Sequence, residues 1–459
     1  MVDDQPFDDQ PFDDQPIDDQ PFDDGLADSD RGHDPDSTMG RRRIQQLRRR
    51  GPLLLGGLLA VATVLIGVAV LRHEDAAPPL PDLPPGAVRV DAWAPYWTLS
   101  DTLPETQERF SDLREISPFW YSAVSVNRIV IDEHAPFDDA DEFIELIRDA
   151  NRKFVPSIRD AMPAGAMAAV LANPVTRAAH VDAVVEFAAD NDVDGIDLDY
   201  EQFAFADGPD TWEATSPNWV LFVTELAQRL HADGRTITVS IPAVFDVETT
   251  GRRGYWVYDH GAIAAVVDAI RIMAYDYSTS EAGPIAPLSW VQEAVDGTAL
   301  AVAPEFHHKL VLGIPSYGSN WVTGTVGICP DTAEGRTNIT ARTALELADR
   351  RDGVPVYDEV LGEWSFSYSL EVTEGAVSCI QSRMARWVDA EGAAERVEIA
   401  RRAGWGGVAL WALGYEDADV WSAIVTASNA PLAPSLPDGE ARGSVGMAPP
   451  NSRNVATIA

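Results

Sequence analysis

Asp194-Gly195-Ile196-Asp197-Leu198-Asp199-Tyr200-Glu201 places four acids at the first, fourth, sixth and eighth positions of one short run. Alternate side chains of a β-strand point to the same face. Asp197, Asp199 and Glu201 therefore line one face, each roughly 6.5–7 Å from the next. Ile196, Leu198 and Tyr200 turn the other way, into packing. A row of like charges on a buried strand is costly, and carboxylates this close cannot all ionise freely, so at least one holds its proton to higher pH. That is the condition a carboxyl needs to act as a general acid near neutral pH. Two plainer readings fit worse. A calcium loop of the EF-hand type needs Gly at its sixth position and Glu at its twelfth, which this run lacks. A solvated edge strand has no use for the interleaved Ile, Leu and Tyr.

The surrounding chain supplies the frame. Strand-like runs are predicted at Val88–Trp97, Ile116–Val126, Lys153–Ile158, Asp194–Glu201, Thr236–Ile241, Ala269–Tyr275, Lys309–Ile314 and Gly407–Trp411. Helical patterns fall between them, among them Pro217–His231 with Ser216 as its cap and Pro217 at its first position. A last helix is predicted near Asp417–Ala427. Eight strands alternating with helices imply a parallel sheet with crossover connections, and eight units are what an α/β (β/α)8 TIM barrel requires. A doubly wound sheet is the rival, but Ala94-Pro95-Tyr96-Trp97 stands where its Gly-rich phosphate turn belongs. About ninety residues separate the seventh and eighth strands, too many for a simple connection, and predict a small α+β insertion over about 318–386.

In such barrels catalytic groups sit at the C-terminal strand ends. Glu201, Met273, Tyr275, Asp276, Trp411, Tyr96 and Trp97 fall at those ends, and Tyr317 follows the seventh strand. A mouth of carboxyls and aromatic rings suits a sugar, whose ring faces stack while its hydroxyls take fixed polar partners. The run D-G-I-D-L-D-Y-E resembles the DxxDxDxE signature of glycoside hydrolase family 18, the chitinase-like enzymes, at all four acids. Met273-Ala274-Tyr275-Asp276 resembles that family's M-x-Y-D motif. The resemblance covers about residues 88–427. It implies that Glu201 is the general acid, that Asp199 orients the substrate's 2-acetamido group, and that Asp197 supports Asp199 from beneath. It also implies that Tyr275 and Asp276 bind near that acetamido group and that Trp411 floors the subsite of the cleaved sugar. Asp194 is read as structural. The implied chemistry is retaining and substrate-assisted, with the N-acetyl oxygen as nucleophile; this family is an exception to two-carboxylate catalysis. Gly313-Ile314-Pro315-Ser316-Tyr317-Gly318 and Gly404 to Asp417 resemble the branch of spore-cortex and cell-wall N-acetylglucosaminidases. The third strand departs from the pattern: it ends Ser157-Ile158-Arg159-Asp160, where many chitinases carry Ser-x-Gly-Gly. Arg159 at that place blocks or recharges a subsite, which counts against polymeric chitin.

Composition narrows the partners. Of 459 residues, 34 are basic and 73 acidic, a formal charge of -39 that leaves no basic footprint for nucleic acid. No HExxH, CxxC or Walker A pattern is present, His307-His308 reads as a solvated pair, and neither metal nor cofactor is expected. Residues 1–40 carry DDQPF repeats and read as an acidic disordered tail whose partner the sequence does not name. Six arginines within 41–50 then precede the uncharged apolar run 51–71. That run is long enough to span a bilayer, and the flanking arginines orient the N-terminus to the cytoplasm. A cleaved signal peptide, the rival, has a shorter apolar core of about 7–15 residues. The expected protein is thus single-pass in the cell membrane with its barrel extracytoplasmic. Residues 72–87 form a Pro-rich linker, and 431–459 a second disordered tail. In an oxidising compartment Cys329 and Cys379, both within the insertion, can bridge; two buried thiols are the alternative. The resulting expectation is hydrolysis of β-1,4 bonds beside N-acetylglucosamine, in peptidoglycan or its fragments by location. The alternatives are a chitinase and a sugar-binding barrel that does not cut.

Overall fold

The computed structural model describes residues 83–430 apart from 133, 134 and 136. The DDQPF repeats, the arginine cluster, the apolar run 51–71, most of the Pro-rich linker and residues 431–459 lie outside the described residues. Among those described, no helix is long and apolar enough to cross a membrane.

Fifteen strands occur among the described residues: β1 Arg89–Pro95, β2 Leu113–Ser125, β3 Arg128–Ile131, β4 Lys153–Phe154, β5 Ser157–Asp160, β6 Gly195–Asp199, β7 Thr236–Pro242, β8 Ala269–Met273, β9 Leu310–Pro315, β10 Tyr317–Gly327, β11 Thr337–Thr340, β12 Val356–Asp358, β13 Glu363–Glu374, β14 Val377–Trp387 and β15 Gly407–Trp411. The order β1-β15-β9-β8-β7-β6-β5-β2 is parallel throughout, and β2 pairs back to β1. Eight parallel strands thus close on themselves, and no edge is left open. The outward faces of the strands, such as Ile196 and Leu198 on β6 and Ile270 and Ile272 on β8, are fully buried beneath the helices. Inside, Trp93, Phe119, Ala269, Val311 and Ala409 form a separate apolar cluster. The eight strand runs expected from the sequence are the eight barrel strands.

Several boundaries differ, each for a local reason. The third run is split into β4 and β5 because Pro156 has no N–H to give the ladder; its carbonyl still accepts from Asp197, at 3.0 Å. The first strand stops at Pro95, and Tyr96–Arg109 is a helix, so Tyr96 and Trp97 open a helix instead of ending a strand. The helix expected to start at Pro217 begins at Trp212 and runs to Ala232, with Pro217 inside and Ser216 uninvolved in capping. Pro217 and Glu213 are exposed, so the carbonyl that loses its helical partner faces water. The fourth run ends at Asp199, and Glu201 already stands in helical backbone geometry at the head of the turn Gln202–Phe205. His307 is half-buried, with Nε2 3.0 Å from the carbonyl of Val302, and only His308 is exposed.

The insertion forms a second sheet, β11-β10-β14-β13-β12, with the helix Ala341–Arg350 laid on it. Thr340 and Thr343 close a reciprocal capping box at that helix's start. Ile339, Ala344, Leu347, Phe366 and Trp387 give the lobe its own core. Cys329 and Cys379 are joined in a disulfide, their Cα atoms 4.7 Å apart.

Candidate active site

Asp197 lies at the centre of the barrel, fully buried and held by four donors. Trp93 Nε1, Ser157 Oγ and Arg271 Nη1 donate to its Oδ2 at 3.0, 2.6 and 3.2 Å, and Ser240 Oγ donates to Oδ1 at 2.7 Å. Register explains the company: Asp197 sits level with Ser157 on β5 and Thr238 on β7, and Ser240 is level with Arg271 on β8. Arg271 is also fully buried. It gives further bonds to Ser117 Oγ and Glu115 Oε1, both 2.7 Å, lies 3.7 Å from Asp91 and packs 5.0 Å above the Trp93 ring. One guanidinium therefore serves three carboxylates. Burial pushes Asp91 up to about 6, against the pull of Arg89.

One step along the same strand face is Asp199, buried, with an Oδ1 that has no hydrogen-bond partner among the described residues. Burial first, then the charges of Glu201 and Asp197, hold its carboxyl well above the usual range. Glu201 follows, half-buried at the mouth. Burial, then the charges of Asp160 and Asp276, push it up to about 8, while Arg159 pulls the other way. Glu201 thus holds its proton more tightly than an ordinary carboxyl, and the acids that do most to hold it there are Asp160 and Asp276, from other segments, beside its burial. The apolar alternates behave as expected: Tyr200 is buried, its hydroxyl 2.8 Å from His180 Nε2, and its carbonyl accepts from Tyr258 at 2.9 Å. Asp194 accepts from the Phe154 amide at 2.8 Å, a purely structural bond.

The turn that carries Glu201 is clasped from β5. Asp160 Oδ1 accepts the amides of Glu201 and Gln202, each at 2.9 Å, and Oδ2 that of Phe203 at 3.3 Å. Burial still pushes Asp160 up to about 7. Its neighbour Arg159 pairs with Asp132 at 3.2 Å and lies 5.1 Å over the Phe119 ring.

Past β8, Asp276 adopts a left-handed backbone (φ 59°) that turns the chain across the mouth. Its Oδ1 accepts the hydroxyl of Tyr317, which comes from the first residue of the inserted lobe. Burial raises Asp276, against that hydrogen bond and the charge of Arg336. Tyr275 packs edge-on to Tyr317, ring centres 6.2 Å apart. It fits only because β9 offers Gly313: a Cβ there would lie 2.8 Å from Tyr275 Cε1. Met273, half-buried, lies on the inward face of β8 one repeat above Arg271. Trp411 ends β15 edge-on to Phe119 (4.8 Å) and Trp93 (5.7 Å). Trp97 gives its Nε1 hydrogen to Tyr415 Oη at 2.7 Å, which fixes the ring beside Phe119.

The structure thus brings Asp199, Glu201, Tyr275, Asp276, Tyr317, Trp97 and Trp411 to one end of the barrel, with Asp197 beneath them at its centre. Tyr96 is the exception: it is 6% exposed and belongs to the main core, because the helix beginning at that residue turns it inward. Trp93, Ser240 and Arg271 are not singled out by the sequence reading, Ser157 and Asp160 enter it only as part of a variant strand end, and Tyr415 only within the run Gly404 to Asp417. Each acts through another side chain or a turn, and a single strand's pattern does not show its partner on the next. Among the described residues no cluster of three or more His, Cys, Asp or Glu is placed to hold a metal ion.

A closed parallel barrel with a protonated glutamic acid, a buried carboxyl beneath it and aromatic walls at its C-terminal mouth has the architecture of a glycoside hydrolase. The family model "Glycosyl hydrolases family 18" matches residues 149–416, more than half of the sequence, and the chain belongs to that family. Among curated relatives it is 30% identical over 202 residues to the "Putative sporulation-specific glycosylase YdhD" of Bacillus subtilis, covering 44% of each chain. It is 31% identical over 176 residues to "Probable chitinase 2" of Drosophila melanogaster, covering 36% of this chain and 34% of that one. The chain therefore spans less than half the length of the curated relatives it matches. The fold is shared with a chitinase from Chromobacterium violaceum (TM-score 0.60, 21% identity, 74% of this chain and 99% of that one). It is shared also with the spore cortex-lytic enzyme SleL of Bacillus megaterium (TM-score 0.59, 16% identity, 77% and 76%).

Proposed function

We propose that this protein hydrolyses β-1,4 glycosidic bonds next to N-acetylglucosamine, with retention and with the substrate's own acetamido oxygen as nucleophile. The observation that carries this reading is the buried Oδ1 of Asp199, which has no hydrogen-bond partner among the described residues and lies at the end of β6, two residues before Glu201 with its raised carboxyl. A buried acceptor without a donor is costly, and the N–H of a 2-acetamido group supplies one. Glu201 gives its proton to the leaving oxygen. Asp199 takes the acetamido N–H and so strengthens the carbonyl oxygen as it attacks. Asp197, held by four donors beneath Asp199, is the fixed charge against which Asp199 works. Tyr275 and Asp276 orient the acetamido group, and Trp411 stacks under the sugar. An oxazolinium ion forms and water then opens it, with Glu201 taking back a proton.

The substrate we favour is peptidoglycan or its fragments. The apolar run 51–71 behind six arginines supports a barrel tethered outside the membrane, where the cell wall is the nearest polymer. Similarity to a relative named as a sporulation-specific glycosylase points the same way. Chitin oligomers are the second reading, favoured by the relative named as a chitinase.

The test is to incubate the protein, beside Glu201→Gln, with chitooligosaccharides, their de-N-acetylated forms and purified peptidoglycan. Cleavage of acetylated substrate alone, lost in the variant, is expected. Cleavage of the de-N-acetylated glycan would overturn the substrate-assisted mechanism. Equal activity in Glu201→Gln would remove the assigned acid. Products from peptidoglycan but not from chitooligosaccharides would decide the polymer.

A further inference from the structure

We infer that Asp160 is a positioning residue for Glu201: its carboxylate clasps the turn that aims the acid, and its negative charge keeps the acid's proton in place. The inference rests on the reading of Glu201 as proton donor. Three consecutive amides, from Glu201, Gln202 and Phe203, converge on this one carboxyl at 2.9, 2.9 and 3.3 Å. Among the described residues no other side chain bonds those amides. β6 ends at Asp199, so Glu201 no longer follows the strand's alternation. Its direction is set by the turn, and the turn is set by Asp160.

The charged and titratable surroundings separate this role from a general effect of burial. β5 presents Asp160 and Arg159 to Glu201, β6 presents Asp199, the turn Trp256–Tyr258 presents Tyr258, and the segment after β8 presents Tyr275 and Asp276. Arg159 opposes the acids, but it is paired with Asp132 at 3.2 Å. Asp276 is tied to the Tyr317 hydroxyl. Asp160 stands first among the charges that raise Glu201; burial pushes Asp160 itself up to about 7 against the amides it accepts, so its charge is in place over the alkaline range where Glu201 loses its proton. Two demands meet in one side chain. The amides favour ionised Asp160, and ionised Asp160 favours protonated Glu201.

The experiment uses the full chain and Asp160→Asn, which keeps an oxygen for the amides of Glu201 and Gln202 but removes the charge. The rate on a chitotriose substrate is followed from pH 5 to 9. The alkaline limb of kcat/KM is expected to move down by about one unit, with the acid-side rate within about threefold of the wild type. Asp160→Ala, which also releases the turn, should lower kcat at every pH. An unmoved alkaline limb in a folded Asp160→Asn, or an unchanged rate in Asp160→Ala, overturns the proposal. A merely structural Asp160 predicts a loss of folded protein and no shift of the limb. Should Asp160→Asn not fold, Asp160→Ser keeps a hydroxyl acceptor without charge and carries the same test. A carboxyl-¹³C NMR titration, with the Glu201 signal assigned by its loss in Glu201→Gln, gives a readout that needs no turnover. If no substrate is cut but the Glu201 midpoint falls in Asp160→Asn, the glycosidase reading fails and the coupling stands. If substrate is cut and the midpoint does not move, the coupling fails alone.

Discussion

Tyr317, the first residue of the inserted lobe, donates its hydroxyl hydrogen to Oδ1 of Asp276, which closes the segment after β8 across the mouth of the barrel. The bond joins two groups 41 residues apart and is one of several between the lobe and the segment after β8, beside Trp321 Nε1 to the carbonyl of Thr279 at 3.1 Å and the Ala286 amide to Glu363 at 2.7 Å. Asp276 is otherwise raised by burial, and this bond is the largest influence keeping its charge.

Tyr317→Phe removes that donor and leaves the ring. The expected result is a fall in kcat/KM of about tenfold, which corresponds to the ~1.5 kcal/mol of a hydrogen bond to a charged group. The melting temperature should change little, because the ring still packs on Tyr275. Steady-state kinetics beside thermal melting checks both, and a variant with full activity would show that Asp276 needs no anchor.

Glu201 must hold its proton to act, and burial with neighbouring acids pushes it from the ordinary carboxyl value up to about 8. The sign follows directly. A folded-state value above the unfolded one means that the fold binds this proton more tightly. The stability so gained is fully present below the ordinary carboxyl range and is lost as pH rises through about 8. Glu201→Gln has no such proton to lose. Its melting temperature should exceed that of the wild type at pH 9 and approach it near pH 5. Calorimetry at the two pH values decides the matter, and a constant difference would refute the link. In the wild type the rate should decline over the same alkaline range.

Arg271 is a fully buried cation that faces Glu115 and Asp197 and shares Asp91 with Arg89, which lies 3.0 Å from it. Arg271→Met leaves three carboxyls in the barrel interior without it. Breaking a buried pair in this way costs about 3–5 kcal/mol, so urea unfolding should show a large fall in midpoint. Adding Glu115→Gln should recover part of the loss, because one fewer charge then needs a partner. If the single variant unfolds like the wild type, the cluster is not held by this cation.

The strand count and the carboxyl row were both legible in the sequence. Hydrophobic runs marked all eight barrel strands, and alternation assigned Ile196, Leu198 and Tyr200 to packing before any fold was known. What stayed hidden lay between strands. Arg271 looks like a stray charge within Ala269–Met273 until register sets it beside Ser240 and one strand further from Asp197. The lobe was only partly visible for a related reason. β14 alternates in burial, but its inward positions are Cys379, Gln381, Arg383 and Ala385, which carry no apolar rhythm. Arg383 is buried because its guanidinium reaches the carbonyls of Asn320, Glu334 and Gly335. A sequence pattern records apolar content, and here the strand is stabilised by hydrogen bonds.

The Cys329–Cys379 bridge spans 50 residues of the lobe. A loop of that size contributes about 4 kcal/mol in the chain-entropy picture. Replacing both cysteines with serine should lower the lobe's resistance to proteolysis while the barrel, which has its own core, keeps its melting transition. Limited proteolysis with mass spectrometry would locate the first cut. A first cut in the barrel would contradict this division.

The two ends of the lobe meet at its base. Gly318 lies level with Trp387, and the amide of Val388 donates to the carbonyl of Tyr317 at 3.2 Å. Chain departs from the barrel and returns to it through adjacent strands, and the lobe also rests on the barrel further out: Glu363 accepts the amides of Ile285 and Ala286, Trp321 Nε1 donates to the carbonyl of Thr279, and Trp321 and Ala341 pack into the main core. Barrel closure, through β9 and β15, is completed by residues on either side of the lobe and by none within it. A change in the lobe therefore reshapes one wall of the barrel mouth, while the acid that follows β6 is held from β5 by Asp160 and keeps its aim.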